Sequence, residues 1–383
     1  MRGWRLGRSA RAAGGLAAEP SPAIQAALRA GVDDLFAIES EGARGAGVIF
    51  SGELRLPVAR ALPLLQARLR PLGYTPFLAR EHGRTWLHAL PFVDGADPGR
   101  PGVNLVLFLL TLVSTLAAGA FVAGAVPWLT FDPAREPGRL LAGLPFAVTL
   151  LAILGTHEFG HYFTARWHGA AVSLPYFIPA PPPLFLFGTL GAVIRMRSPA
   201  RDRNALLDIA AAGPLAGLAV ALPAMWLGLA WSTIARVPES GAVAFGDSLL
   251  MRGMVYLVLG PVPPGMDVFV HPVALAGWVG FFVTALNLFP VGQLDGGRIA
   301  YALAGAHHRR ISVGTAVGLA VLSAVTGSPN WLVFAALVTV LMGLHHVPPL
   351  DDLTPLSAGR RALGLFCFVL LVVLIPPVPI QVG

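Results

Sequence analysis

The sequence predicts a polytopic α-helical membrane protein of about six to eight spans with a re-entrant hairpin, preceded by a small soluble α+β domain. Three observations predict it. Of 383 residues, 55% are hydrophobic and only 12% charged, with a mean hydropathy of +0.69; a soluble globular chain carries about 25% charged residues. Apolar runs recur at about 103–127, 140–165, 205–234, 271–291, 311–326, 330–347 and 361–380, most of them near the ~20 residues that cross a hydrocarbon core. Residues 23–96, in contrast, have the mixed patterning of a soluble module.

Taken in order, residues 1–22 carry arginines without the apolar stretch of a cleaved signal peptide and read as a disordered arm. "AIQAALRAGVDDLFAIESE" (23–41) reads as a helix and then a strand. "GVIFSGELRL" (47–56) alternates as a strand does. "PVARALPLLQARLRPLG" (57–73) has helical spacing, with Pro57 at its start and Gly73 at its end. "YTPFLAREHGRTWLHALPF" (74–92) reads as two strands around His82-Gly83. The domain is expected at 23–96, a linker at 97–102 and a transmembrane domain at 103–383, its core about 140–300. The run at 311–326 is short enough to tilt, pair or re-enter. "LPYFIPAPPPLFLFGTLGAVIRM" (174–196) is apolar but broken by prolines, so it cannot continue as a helix. Its backbone groups must be buried in protein or line a cavity, which makes it a re-entrant loop or hairpin.

The net charge is +7, and all 27 basic residues are arginine. They are spread over loops between apolar runs, where they orient a membrane protein; nucleic-acid binding is not expected. With the first domain in the cytoplasm, the cytoplasmic side receives Arg166, Arg195, Arg197, Arg201, Arg203, Arg298, Arg309, Arg310, Arg360 and Arg361. The other side receives Arg135, Arg139, Arg236 and Arg252, so ten face four, as the positive-inside rule requires. Cys367 is the only cysteine, which excludes an intramolecular disulfide and leaves cysteine catalysis without support.

The chemistry is carried by His157-Glu158-Phe159-Gly160-His161, an H-E-x-x-H pattern inside the second apolar run. On a helix, residues i and i+4 stack on one face, so two imidazoles present themselves to one point, as a zinc site needs. Glu158 stands beside the first ligand as a candidate general base; zinc brings the pKa of a water down to about 7. Two histidines and a glutamate in a span are costly unless they are paired or functional. A helix over 140–165 is about 39 Å long and His157 lies about 12 Å from its far end, inside the membrane and nearer the cytoplasmic face.

A catalytic zinc takes three protein ligands and keeps one open position. In "NLFPVGQLDGGR" (287–298), Pro290 ends a helix, Gly296-Gly297 allow a sharp turn and Asp295 stands at the same depth and side as the histidine pair. Asp295 is the expected third ligand, with His345 and His346 as competitors that also read as an interfacial pair at a span end. His168 and His271 read as interfacial, and Asp208 as capping a helix or pairing with nearby arginines. Asp247 lies in a polar loop, and no paired membrane aspartates suggest an aspartyl protease.

H-E-F-G-H on one span and N-x-x-P-x-x-x-L-D-G-G on a later one resemble the site-2 protease family of intramembrane zinc metalloproteases. "AAGPLAG" (211–217) is similar to the family's G-P-x-x-G element. "LPYFIPAPP", "DVFVHPVALAGWVGFFVTALNLFPVGQLDGG" and the soluble module before the first span are similar to the plant chloroplast branch and its bacterial relatives. The resemblance implies one Zn2+ per chain held by His157, His161 and Asp295, with Glu158 as general base. It places Asn287 beside the site, holding the substrate carbonyl or its oxyanion; an interhelical hydrogen bond is the plainer reading of that residue. It implies that the hairpin holding "GTLGAVIRM" pairs with an unwound substrate, and that Gly213, Pro214 and Gly217 permit close helix packing. No PDZ-like insertion is evident between the core spans. The expected activity is that of an endopeptidase acting on transmembrane protein substrates in the bilayer, in regulated intramembrane proteolysis. The expected location is a bacterial inner membrane, with the first domain and the opening of the site on the cytoplasmic side. A metal-binding transporter would spread polar sites along a path, and a catalytically silent chaperone or scaffold would lack the glutamate or a ligand.

Overall fold

The computed structural model describes residues 19–81, 83–91, 100–126, 137–182, 185–236, 243–344 and 346–382. The expected arm up to residue 18, His82, residues 97–99 of the linker, Arg135 and His345 lie outside them. The molecule is mostly helical, with a small β-containing unit at its N-terminal end.

That unit opens with α1 (Pro22–Val32), which starts inside the expected arm because Ser21 accepts the Ile24 N–H and Pro22 supplies a preset first turn. β1 (Phe36–Arg44), β2 (Gly47–Leu54), α2 (Val58–Leu69), β3 (Tyr74–Glu81) and β4 (Arg84–Pro91) follow. The strands form an antiparallel sheet in the order β1-β2-β4-β3. Pro57 stands just outside α2, and Gly73, at φ 79°, ends the short 3₁₀ turn after it in the left-handed conformation that favours glycine. Cross-strand partners Phe50, Leu78 and Leu87 share a sheet face and pack on Leu28, Val32 and Leu65 of the helices. Leu350, from the far end of the chain, completes this core.

Three described helices are long and apolar enough to cross a membrane. They are α3 (Pro101–Val122), α4 (Leu144–Trp167) with a 3₁₀ lead from Pro137, and α5 (Arg203–Ala230). The expected linker ends earlier than residue 102, because Pro101 is already the first residue of α3. Between α4 and α5, β5 (Tyr176–Pro179) and β6 (Thr189–Val193) pair antiparallel, so the proline-broken stretch is a hairpin. α3 pins it: Asn104 donates to the Leu174 and Pro175 carbonyls, and Ser114 to that of Gly188.

Beyond α5 come β7 (Thr233–Arg236), β8 (Val243–Phe245), α6 (Leu249–Leu259) and β9 (Met266–Phe269), then α7 (Pro272–Leu288) and α8 (Asp295–Ala304). The chain ends with α9 (His308–Thr326), α10 (Asn330–Leu341), α11 (Ala358–Leu374) and β10 (Ile380–Val382). β7 pairs with β9 and β8 with β10. The late apolar runs at 271–291, 330–347 and 361–380 thus become helices of 17, 12 and 17 residues. Asp247 lies in a loop, as expected, and α6 follows it directly. Ser248 caps it by accepting the Met251 N–H, and Met251 and Met254 enter the main core. Eleven residues are too few to register as a span.

α5 packs between α4 and α7. Lipid tails are as apolar as these side chains, so association in a bilayer depends on close packing rather than on escape from water. The crossings accordingly use glycine. A Cβ on Gly160 of α4 would fall 2.6 Å from the Ala212 carbonyl oxygen of α5, and one on Gly228 of α5 would fall 2.2 Å from the Ala274 nitrogen of α7.

Candidate metal centre

The H-E-x-x-H residues lie on the inner face of α4, where His157, Glu158 and His161 are buried against α5. The i,i+4 spacing sets the two imidazole rings 4.9 Å apart, edge to face. Gly213 makes the room: a Cβ there would stand 2.1 Å from His161 Nε2, and one on Gly217 would stand 3.2 Å from His157 Cβ. The G-P-x-x-G glycines do permit close packing, and what they admit is the imidazoles themselves.

The acidic partner arrives from the break after α7. Pro290 lacks an N–H to continue the helix, which ends at Leu288. The chain then turns at Gly292, at φ 54°, where the Gly292 N–H is accepted by the Ser312 hydroxyl. α8 begins at Asp295. Gly296 and Gly297 do not make the turn, contrary to the expectation. Neither has a positive φ, and both sit in the first turn of α8. They let α8 press on the exposed carbonyls before it: a Cβ on Gly296 would fall 1.9 Å from the Leu288 oxygen, and one on Gly297 2.4 Å from that of Gly292.

His157 Nε2 and His161 Nε2 lie 3.2 Å apart, and Asp295 Oδ2 lies 3.1 Å from His161 Nε2 and 3.5 Å from His157 Nε2. Donors about 2.0–2.1 Å from a tetrahedral zinc stand about 3.3 Å from one another. The three atoms therefore have the spacing of one face of a zinc tetrahedron, and the donor set, two imidazoles and a carboxylate, suits that ion. Among the described residues this is the group of histidine, cysteine and acidic side chains that could hold a metal. His161 Nδ1 is 2.6 Å from the Ile209 carbonyl oxygen. Nδ1–H donates there, which leaves the Nε2 lone pair directed at the cluster. Arg298 Nη1, one turn along α8, is 3.8 Å from Asp295 Oδ1.

Glu158 is 6% exposed, and the Ile194 backbone N–H at the end of β6 is directed at its carboxylate. Asn287 Nδ2 stands 3.4 Å from His157 Nε2, so the amide borders the cluster. His346, the described competitor, is elsewhere. His346 packs on the rings of Tyr301 and His308, at 5.0 and 6.0 Å, and His271 caps α7 by accepting the Val273 N–H. His168 pairs with Asp208, which also takes Arg360 of α11 at 2.7 Å. Asp208 is thus an ion-pair residue whose arginine is distant in sequence, and the α5 cap is Asp202. Cys367 is fully buried in packing. Sequence reasoning missed Ile209 and Ser312; a backbone carbonyl carries no residue signature, and a serine in an apolar helix carries a weak one.

A sequence model of peptidase family M50 matches residues 145–325, which include every residue of the cluster. The probable zinc metalloprotease EGY1, chloroplastic, of Arabidopsis thaliana is 30% identical over 89% of this chain and 68% of its own length. The protein of the same description in Oryza sativa subsp. japonica is 32% identical over 88% of this chain and 63% of its own length. The probable zinc metalloprotease EGY2, chloroplastic, of Oryza sativa subsp. indica is 35% identical over 48% of this chain and 33% of its own length. The chain therefore spans about two thirds of the EGY1 relatives. No solved structure matches it. The similarity runs through the soluble unit as well as the helices, and on it this chain belongs to the zinc metalloproteases of peptidase family M50.

Proposed function

We propose that the chain is an intramembrane metalloendopeptidase that hydrolyses peptide bonds in or beside transmembrane segments of membrane proteins, in regulated intramembrane proteolysis. One observation carries this reading: the buried donor cluster takes two of its three members from α4, a helix long and apolar enough to span the bilayer. His157, His161 and Asp295 would hold the metal, and Zn2+ bound there would supply Lewis acidity toward water and the scissile carbonyl. Glu158 takes one proton of the attacking water and returns it to the amide nitrogen as the C–N bond breaks, leaving a carboxylic acid, which retains the other water proton, and a free amine. Asn287 donates its amide N–H to the carbonyl oxygen as negative charge develops there. A helical substrate hides its peptide bonds in its own ladder, so it must unwind to be cut. The β5–β6 hairpin, with Leu190 and Val193 exposed, offers an edge on which an unwound strand can be held.

The arginine asymmetry supports an orientation with the N-terminal domain and the opening of the site on the cytoplasmic face, the membrane being read as a bacterial inner membrane. Against a transporter, the donors form one cluster rather than a path; against a silent scaffold, base and ligands are all present. Glu158→Gln is expected to keep its zinc while cleavage of a co-expressed membrane substrate disappears. Cleavage at the parental rate in that variant would rule out the assigned base.

A further inference from the structure

The segment between α10 and α11 passes between the N-terminal sheet and the membrane helices and bonds to both. β3 is an edge of the sheet, and residues 350–352 run parallel along it. Leu78 donates its N–H to the Leu350 carbonyl at 2.8 Å, and Asp352 donates to that of Leu78 at 2.9 Å. On its other side the same segment donates from Leu350 and Asp351 to the carbonyls of Ala200 and Arg201, at 3.0 and 2.9 Å, just ahead of α5. The Leu350 side chain is 7% exposed and packs within the N-terminal core. Sheet, strap and the lead into α5 are therefore one hydrogen-bonded surface.

Asp352 extends that surface toward the metal centre. Arg203 Nε of α5 donates to Asp352 Oδ1 at 2.6 Å, and Tyr301 of α8 donates its hydroxyl to Oδ2 at 3.1 Å. Arg203 precedes Ile209, the acceptor for His161, by six residues, and Tyr301 follows Asp295 by six. Each is about 9 Å along a rigid helix from what it controls. One carboxylate thus braces the two helices that orient His161 and carry Asp295. A second link runs from the same tyrosine. Its ring packs 5.9 Å from that of His308, which shares a hydrogen bond with Ser312, the acceptor for Gly292 at the turn before Asp295.

We propose that the strap of residues 350–352 makes the N-terminal domain a positioning element of the metal centre, with Asp352, Arg203 and Tyr301 as positioning residues that set Asp295 against the histidine pair. This rests on the reading of Asp295 as a metal ligand. Groups hydrogen-bonded directly to a ligand are worth about 10–100-fold in metal affinity, and a brace one step further out is expected at the lower end of that range.

The test uses the full chain and measures zinc affinity by chelator competition, and the visible spectrum after cobalt substitution. Asp352→Asn and Tyr301→Phe are expected to lower zinc affinity about tenfold or more and to shift the cobalt bands, with helix content unchanged by circular dichroism. Leu350→Ser, which alters only the strap's anchor in the N-terminal core, is expected to act in the same direction, and Asp352→Glu to recover part of the loss. Tyr301→Phe keeps its ring packing, so it decides the matter even where another variant misfolds. Parental affinity and spectrum in Tyr301→Phe and Leu350→Ser would overturn the proposal. Asp295→Ala separates the two readings: undiminished zinc there removes Asp295 from the site, whereas zinc lost there but kept by the strap variants rejects the strap alone.

Discussion

At the scale of single residues, the centre depends on what is absent as much as on what is present. His161 can reach His157 and Asp295 because α5 offers it a surface without a side chain at Gly213. Gly213→Ala puts a carbon in the place of the ring and forces the ligand aside. Overpacking of this kind costs about 1–3 kcal/mol in stability. The expected result is zinc content well below one per chain with the protein still inserted in the membrane, read by metal analysis of the purified variant. The histidine pair was legible because i,i+4 spacing is a local property of a helix, and Asp295 because Pro290 and the glycine pair mark a break beside it. The purpose of Gly296-Gly297 was misread for an instructive reason. A glycine that clears space and one that turns the chain look alike in sequence, and only the backbone angles and the carbonyls of Leu288 and Gly292 separate them.

At the scale of elements, the hairpin is a piece of irregular backbone mounted on a spanning helix. Prolines announced it, since 174–196 is too apolar for a loop and too broken for a helix. Its mounting was not announced: Asn104 and Ser114, two polar residues in α3, donate to the Leu174, Pro175 and Gly188 carbonyls beside the hairpin strands. The double variant Asn104→Leu/Ser114→Ala removes both α3 donors and loosens the mounting of the hairpin without touching the metal cluster. KM for a membrane substrate is expected to rise severalfold, with zinc content unchanged and kcat nearly so; steady-state kinetics on a reconstituted substrate checks the split. α6 escaped the sequence reading because an eleven-residue amphipathic helix between two short ribbons has neither the length of a span nor the polarity of a loop.

At the scale of the whole molecule, the soluble unit and the membrane helices respond to different conditions. His88 lies on β4 beside Trp86 and is 6% exposed. Burial, with a smaller contribution from the Arg44 charge, pushes its pKa down to about 4. An unfolded histidine binds its proton near pH 6.5, so between about pH 6.5 and 4 the unfolded chain holds more protons than the folded one. Stability is therefore complete above pH 6.5 and falls as the pH drops through that window, by about 3 kcal/mol at its lower end. Pulse proteolysis of the intact chain is expected to show the N-terminal domain loosening toward pH 4, and His88→Phe to flatten that dependence. Composition and apolar runs made the helical membrane class legible. They did not show that, among the described helices, α3, α4 and α5 alone are both long and apolar enough to span, nor that Leu350 belongs to a core built otherwise from residues 28–89. Contacts between residues hundreds of positions apart leave no periodicity to read. That last contact has a consequence for how the enzyme is born. A chain is made from its N-terminus, so the first domain leaves the ribosome with β3 bare and a gap where Leu350 belongs. Both are filled only after α10 has been made. A nascent chain stalled before residue 350 therefore carries both histidines, the glutamate and the aspartate without the proposed brace, and is expected to mature only once the strap has been made.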